Sequence, residues 1–281
     1  MKKLLIVDGS NLLFQMFYGM PARILSKDGK PIHGTLGFVG ALLKIIRMTA
    51  PTHAVVLFDG ETHNPRADVD EEYKANRPDY SGLPEEETPF SQLPDIFRAL
   101  HLLGLKFTET CVCETDDLVA GYVYRYREQA KIVVSSFDSD FFQLVSPAVS
   151  ILRYRGDATT LCDEKFVEAR FGVSPAKYAD FKALVGDTAD NIKGAAGIGP
   201  KTAASLLNEF GSLAELLTRA EEIKKPTTRA TILNSQERLL KNERLIKLCP
   251  CDELLPFSLE ELAFSYGGQT TGTVLKDLGL K

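Results

Sequence analysis

Three short, unbroken apolar runs stand out along the chain: Leu4-Leu5-Ile6-Val7, Ala54-Val55-Val56-Leu57-Phe58 and Ile132-Val133-Val134. A strand with one face in water alternates, so a continuous run is the pattern of a strand covered on both faces, as in a parallel sheet. Between these runs apolar residues recur every three to four positions, at about 36–48 (Leu36, Val39, Leu42, Leu43, Ile46), at 92–103 ending at Gly104, and at 115–128. That spacing predicts helices with one buried face. Strands and helices in alternation predict an α/β fold, a mainly parallel, doubly wound sheet flanked by helices, over residues 1–172.

From 173 to 281 the pattern predicts a second, helical domain. Its clearest signature is the string Gly194-Ala-Ala-Gly197-Ile198-Gly199-Pro200-Lys201-Thr202. A Walker loop does not fit, because the lysine comes one place late and no strand leads in; the dinucleotide fingerprint lacks its third glycine. What remains is a tight glycine turn, a proline at a first helical position and a helix running to Phe210-Gly211. With a preceding helix at Tyr178 to Val185, the string predicts a helix-hairpin-helix over about 178–210. Backbone N–H groups at such a helix start hold a phosphate, with Lys201 and Thr202 adding contacts. Phe257 to Phe264 also has a helical pattern, and Gly267 to Gly272 reads as a mobile stretch.

Polar positions are informative where they interrupt these patterns. Each apolar run is followed at once by acid: Asp8, Asp59 and the pair Asp138/Asp140. In a doubly wound sheet the carboxyl ends of the strands open onto a common crevice, so the three runs deliver carboxylates to one edge. Two further groups adjoin it: Glu114-Thr-Asp116-Asp117 at a predicted helix start, and Asp187-Thr-Ala-Asp190 in a predicted turn. Taken singly, the first reads as helix capping and the second as turn chemistry. Taken jointly, nine clustered acids persist only if cations or hydrogen bonds neutralise them. All-oxygen ligation suits Mg2+ or Mn2+, and the set reads as a two-metal site for phosphoryl transfer.

Charge and cysteine content adjust this picture. The 281 residues carry 33 basic and 38 acidic side chains, a net of -5, which argues against a polyanion binder. Without the nine clustered acids the balance is 33 against 29, or +4, and residues 191–250 hold ten bases and six acids. Residues 61–90 show no period, contain four prolines, and carry nine acids against three bases, Arg66, Lys74 and Arg77. The insert is either a solvated loop or a phosphate grip, with Tyr73 positioned to stack a base. Five cysteines include two C-x-C pairs, Cys111/Cys113 and Cys249/Cys251, and read as reduced, partly buried thiols rather than a zinc site or a disulfide framework. No run reaches the length of a membrane helix or a signal-peptide core, so the expectation is a cytoplasmic protein that starts at Met1.

The stretches LLIVDGSNLLF, VVLFDG, EEYKANRP, CETDDLVA, DSDFFQLV, FKALVGDTADNIKGAAGIGPKTAASLL and FGSLAELL, in this order, resemble the 5'-nuclease superfamily: flap endonucleases and the 5'-3' exonuclease domain attached to bacterial DNA polymerase I. The resemblance implies a PIN-like sheet and metal-dependent hydrolysis of phosphodiesters near the 5' end of flapped, nicked or single-stranded-tailed DNA, in replication and repair. It makes Asp8, Asp59, Glu114, Asp116 and Asp117 ligands of one metal, directly or through water, and Asp138, Asp140, Asp187 and Asp190 ligands of a second. Lys74 and Arg77, with Arg66, match basic residues that steady the scissile phosphate, and Tyr73 an aromatic that stacks a terminal base. The insert becomes a helical arch, and the hairpin a duplex grip that holds K+ between its carbonyls and a phosphate. The implied partners are DNA and a polymerase or sliding clamp, for a stand-alone monomer. Three departures are visible: Gln15 where many relatives carry arginine, Ser139 where polymerase-linked members carry lysine, and the acidity of the arch. A D-x-D phosphohydrolase lacks its threonine, since Phe142 stands there, and a non-catalytic branched-DNA binder would not need the complete acid set.

Overall fold

A computed structural model of the chain describes residues 1–60, 65–80, 82–110 and 113–281. Cys111 and the first residues of the insert lie outside the described residues.

Five parallel strands and one antiparallel strand form the sheet: β1 (Lys2–Asp8), β2 (His53–Phe58), β3 (Lys106–Glu109), β4 (Ala130–Ser135), β5 (Val149–Arg153) and β6 (Thr160–Cys162), in the order β3-β2-β1-β4-β5-β6. Only β6 runs against its neighbour. The three apolar runs are the central strands β2, β1 and β4, and each is buried along most of its length. β3 and β5 escape the pattern because they are short, and in β3 no residue is fully buried. Register puts Asp8 opposite Leu57 and Val7 opposite both Val56 and Ser135, so β1, β2 and β4 end level with one another. That level edge explains why three distant acids reach one crevice.

Helices cover both faces: α1 (Gly9–Gly19), α2 (His33–Thr49), α3 (Pro65–Val69), α4 (Leu93–Leu102) and α5 (Thr115–Tyr126) in the first part of the chain. One core packs α1, α2 and α4 on β1 and β2, through residues such as Leu13, Phe38, Leu42, Val56 and Ile96. The other packs α5 on the opposite face and continues into the helices that follow: α6 (Glu164–Phe171), α7 (Tyr178–Val185), α8 (Pro200–Phe210), α9 (Leu213–Thr218), α10 (Pro226–Asn234) and α11 (Gln236–Ile246). An aromatic chain of Phe142, Phe171, Tyr178 and Phe181 joins the sheet to α7, with ring centroids 4.9 to 5.8 Å apart along it.

Phe257 to Phe264 is a turn rather than a helix. Ser258 closes on Glu261 with its N–H and hydroxyl, and the next residues leave to pair with the sheet: Ala54 N–H donates to Leu262 O, and Phe264 N–H to Thr52 O, both at 2.9 Å. Backbone pairing at the strand β2 satisfies groups that a short isolated helix would leave open. The chain ends with α12 (Thr271–Asp277), capped by Thr270 and packed on α2 and α4. No described helix is long and apolar enough to cross a membrane.

Candidate metal and phosphate site

The end of β1 shows how the sequence builds the crevice. Asp8 is both the last strand residue and the N-cap of α1, accepting from Asn11 N–H at 3.0 Å. Its other oxygen accepts from the Ser136 hydroxyl at 2.7 Å, across from β4. Ser136 accepts in turn from Asp138 N–H, and Asp138 from Asp140 N–H at 2.7 Å, so the turn after β4 is folded on its own polar side chains. Asp59 follows β2, exposed, with its N–H on the Ser10 hydroxyl at 2.8 Å.

Electrostatics tie these carboxylates together. Burial, then the charge of Asp59, raises the Asp8 carboxyl to about 7. Asp116 is raised well above the ordinary carboxylate range by desolvation and by Asp138, Asp8 and Asp59. Asp140 rises to about 7, chiefly through burial. Asp190 is also raised by burial, although Lys74 and Arg77 oppose the rise. Burial and mutual repulsion of this kind disfavour the charged carboxylates unless a cation joins them.

A second focus lies at Asp140, Asp187 and Asp190, where one oxygen from each falls within 4.8 Å of the others. Asp187 ends the first strand and Asp190 sits in the turn of a two-stranded ribbon, β7 (Gly186–Asp187) paired with β8 (Ile192–Lys193), that extends α7. Lys182, on the last turn of α7 and almost wholly buried, places its ammonium on Asp140 and Asp187, with the Ser139 hydroxyl at 3.3 Å. Burial opposes this charge, but the two aspartates outweigh it and hold the lysine cationic. Sequence reading passed over Lys182 because its place in α7 looks like a helix surface position; the aspartate five residues on was the available signal.

The insert reaches into the same site. Lys74 adopts a left-handed backbone, φ 58°, which costs a non-glycine residue about 1 kcal/mol or more. Its N–H donates to Asp190 O at 3.0 Å, and its ammonium reaches Glu114 at 3.0 Å, so two fixed partners offset the strain. Arg77 is half exposed and donates to Asp190 at 3.1 Å. Arg66, on α3, is buried; it grips Asp117 with two N–H groups at 2.9 and 2.8 Å, contacts Glu114, and donates to Lys247 O at 3.2 Å. Tyr73 is buried, with the Lys74 ammonium 4.8 Å over its ring.

The structure thus divides the nine acids. Asp8, Asp59, Asp116, Asp138, Asp140, Asp187 and Asp190 share one electrostatic field. Glu114 faces Lys74 and Arg66, and both oxygens of Asp117 are engaged by Arg66, one of them also by Cys249 N–H at 2.8 Å. Gln15, where the departure from arginine falls, donates to Tyr154 O at 2.8 Å.

At the hairpin, Gly194 lies against α7: a Cβ there would meet the Val185 carbonyl carbon at 2.4 Å. Gly197 takes φ 76°, Ile198 is buried, and Gly199 leads into α8 with no side chain capping its first amides. Lys201 is exposed beside them and Thr202 is half-buried.

An all-oxygen carboxylate cluster at the carboxyl edge of a parallel sheet, overhung by basic residues and followed by an uncapped helical hairpin, defines a class of α/β proteins whose site suits hard metal ions beside a phosphate. The comparisons with known proteins narrow this. The family model described as 5'-3' exonuclease, N-terminal resolvase-like domain, matches residues 3–172, and that described as 5'-3' exonuclease, C-terminal SAM fold, matches residues 173–269. The chain belongs to the 5'-3' exonuclease family. It is 33% identical to a 5'-3' exonuclease of Aquifex aeolicus over 88% of this chain and 82% of that protein. It is 38% identical to DNA polymerase I of Rhizobium leguminosarum over 87% of this chain, and the match spans about a quarter of that protein (24%). Among solved structures, the T5 D15 protein co-crystallized with metal ions has the same fold, with a TM-score of 0.71 at 24% identity, covering 99% of this chain and 98% of that one.

Proposed function

We propose that this chain is a metal-dependent 5' nuclease that hydrolyses phosphodiesters at or near the 5' end of flapped, nicked or single-stranded-tailed DNA, acting in the cytoplasm in replication and repair. The observation that carries the reading is the convergence of seven carboxylates at the ends of β1, β2 and β4, the start of α5 and the β7–β8 turn. The donor set fits two Mg2+ or Mn2+ ions: it is all oxygen, and burial with like charge raises Asp8 and Asp140 to about 7, the mark of carboxylates lacking a cation. Asp8, Asp59 and Asp116 would hold one ion, and Asp138, Asp140, Asp187 and Asp190 the other. Glu114 and Asp117 would act one step removed, orienting Lys74 and the first turn of α5. The ions supply charge neutralisation and a more acidic water.

The rest falls to the chain's own residues. Lys74 and Arg77, poised between Glu114 and Asp190, turn toward the non-bridging oxygens of an entering phosphate and offset the charge that grows there. Arg66 fixes the turn that carries Glu114 and Asp116. Tyr73 stacks a terminal base once substrate displaces Lys74 from its ring. Residues 178–210 hold the duplex side, with the amides of Gly199 to Thr202 on a phosphate; the backbone of Gly194 to Ile198 would be the place for a K+ that helps neutralise it.

The test is cleavage of 5'-flap, nicked and single-stranded DNA with and without Mg2+, beside Asp138→Asn. Mg2+-dependent products that the variant does not form, with duplex binding nearly unchanged, are expected. Comparable turnover by Asp138→Asn in Mg2+ would overturn the assignment.

A further inference from the structure

Among the described residues, the non-glycine residues with a left-handed backbone are Ala50, Lys74 and Asn191, and two of them meet at one junction: Lys74 at φ 58° and Asn191 at φ 59°. Strained residues persist where surrounding bonds hold them, and they gather at functional sites.

The bonds at this junction run in both directions. The Asn191 side-chain amide donates to Glu72 O at 2.8 Å and lies 3.4 Å from the Glu72 carboxylate. Lys74 N–H donates to Asp190 O, and the Asn76 amide to Thr188 O, both at 3.0 Å. Residues 72, 74 and 76 therefore all bind the turn between β7 and β8, while Tyr73 between them is buried. The strap that carries Lys74 and Arg77 is fastened to the turn that carries Asp190.

A turn alone would account for asparagine in the left-handed region, where asparagine, aspartate and glycine are all admitted. The bond to Glu72 O asks for more. It needs a donor, which aspartate and glycine lack, and an aspartate would set a second carboxylate against Glu72.

We propose that Asn191 is a positioning residue: its amide clamps residues 72–77 to the β7–β8 turn and so holds the Lys74 ammonium beside the acid cluster. This role rests on the 5' nuclease reading, in which Lys74 meets the phosphate. A group displaced by about 1 Å can lose its catalytic effect without any change in the fold.

Asn191→Gly keeps the left-handed backbone and removes the amide. In single-turnover cleavage of 5'-flap DNA in Mg2+, the rate at saturating enzyme should fall about tenfold, while the half-saturating concentration stays within about twofold. Asn191→Asp should fall at least as far. In a Lys74→Ala background, Asn191→Gly should lower the rate no further, because the group it positions is gone. Hydrogen–deuterium exchange of the full chain in the same buffer reads the clamp without cleavage. The amides of residues 72–77 should exchange about tenfold faster in Asn191→Gly, with β1 unchanged. Unaltered exchange or an unaltered rate in Asn191→Gly, an Asn191→Asp variant equal to the unaltered chain, or losses that multiply in the double variant would each overturn the proposal. If the unaltered chain cleaves no DNA in Mg2+, the nuclease reading fails by itself, and the exchange still decides whether Asn191 holds the strap.

Discussion

A buried lysine between a buried and a partly buried aspartate states the problem this site solves. Lys182 pairs with Asp140 and Asp187 where Ser139 supplies no positive charge, so its ammonium offsets part of the charge that a divalent ion would otherwise have to balance alone. Removing one partner from a buried ion cluster is worse than never having built it, because the remaining charges stay desolvated. Lys182→Met, which keeps the volume, is expected to destabilise the metal-free protein at pH 8 by about 3 kcal/mol or more. Mg2+ or Mn2+ should recover most of that loss and bind the variant more tightly than the unaltered chain. Urea unfolding in EDTA and in Mg2+, with calorimetric titration of Mn2+, checks both parts. Arg66 plays the corresponding role for Asp117, since its guanidinium joins α3, α5 and the end of α11. Arg66→Ala should cost a similar amount that metal does not restore, because Cys249 N–H cannot by itself balance a buried carboxylate.

At the scale of elements, the ribbon between α7 and α8 decides whether the second acid group reaches the first. Gly186, at φ 84°, turns the chain out of α7, and Ala195 N–H returns to Leu184 O at 2.9 Å. That return is possible because Gly194 carries no side chain. Gly194→Ala should therefore displace the ribbon, lowering stability by about 1–3 kcal/mol through overpacking and weakening both metal binding and the hairpin, read out by thermal unfolding and Mn2+ titration. Lys201, exposed beside uncapped amides, makes a separable prediction. Lys201→Ala should weaken DNA binding evenly across sequences and lower the slope of log K against log salt by about one phosphate contact. An unchanged slope would count against the hairpin as a phosphate grip.

For the molecule as a whole, the acid cluster makes stability depend on pH in an unusual direction. Asp8 and Asp140 have folded-state values near 7, above the 3.8 of an exposed aspartate, so without metal the folded protein binds more protons than the unfolded chain between these limits. Stability from this source is complete below about pH 4 and is lost as pH rises through 7, on the order of 4 kcal/mol per group at full effect. In EDTA, Tm should fall between pH 5 and 8; in Mg2+ the fall should vanish or reverse, because the ions need the deprotonated oxygens. A Tm in EDTA that climbs across this range would show that the carboxylates are not held together in the folded state.

The apolar runs, the spacing of α2, α4, α5, α7 and α8, and the acids that end three strands were written in the order of residues alone, because burial on both faces of a parallel strand and one face of a helix leaves a local, periodic trace. The sequence therefore determined the sheet's centre, the edge where chemistry collects and the family resemblance. Tertiary structure alone decided what each acid does there. Asp116 and Asp117 are neighbours in one helical turn, yet one joins the carboxylate field and the other is taken by Arg66, since successive helix positions point about 100° apart. Lys182 becoming a counter-ion of Asp140 and Phe257 to Phe264 giving up a helix to pair with β2 depend on partners from about 40 to more than 200 residues away. Such pairings leave no period along the chain, because the partner's position is set by the closed core and not by its neighbours in sequence.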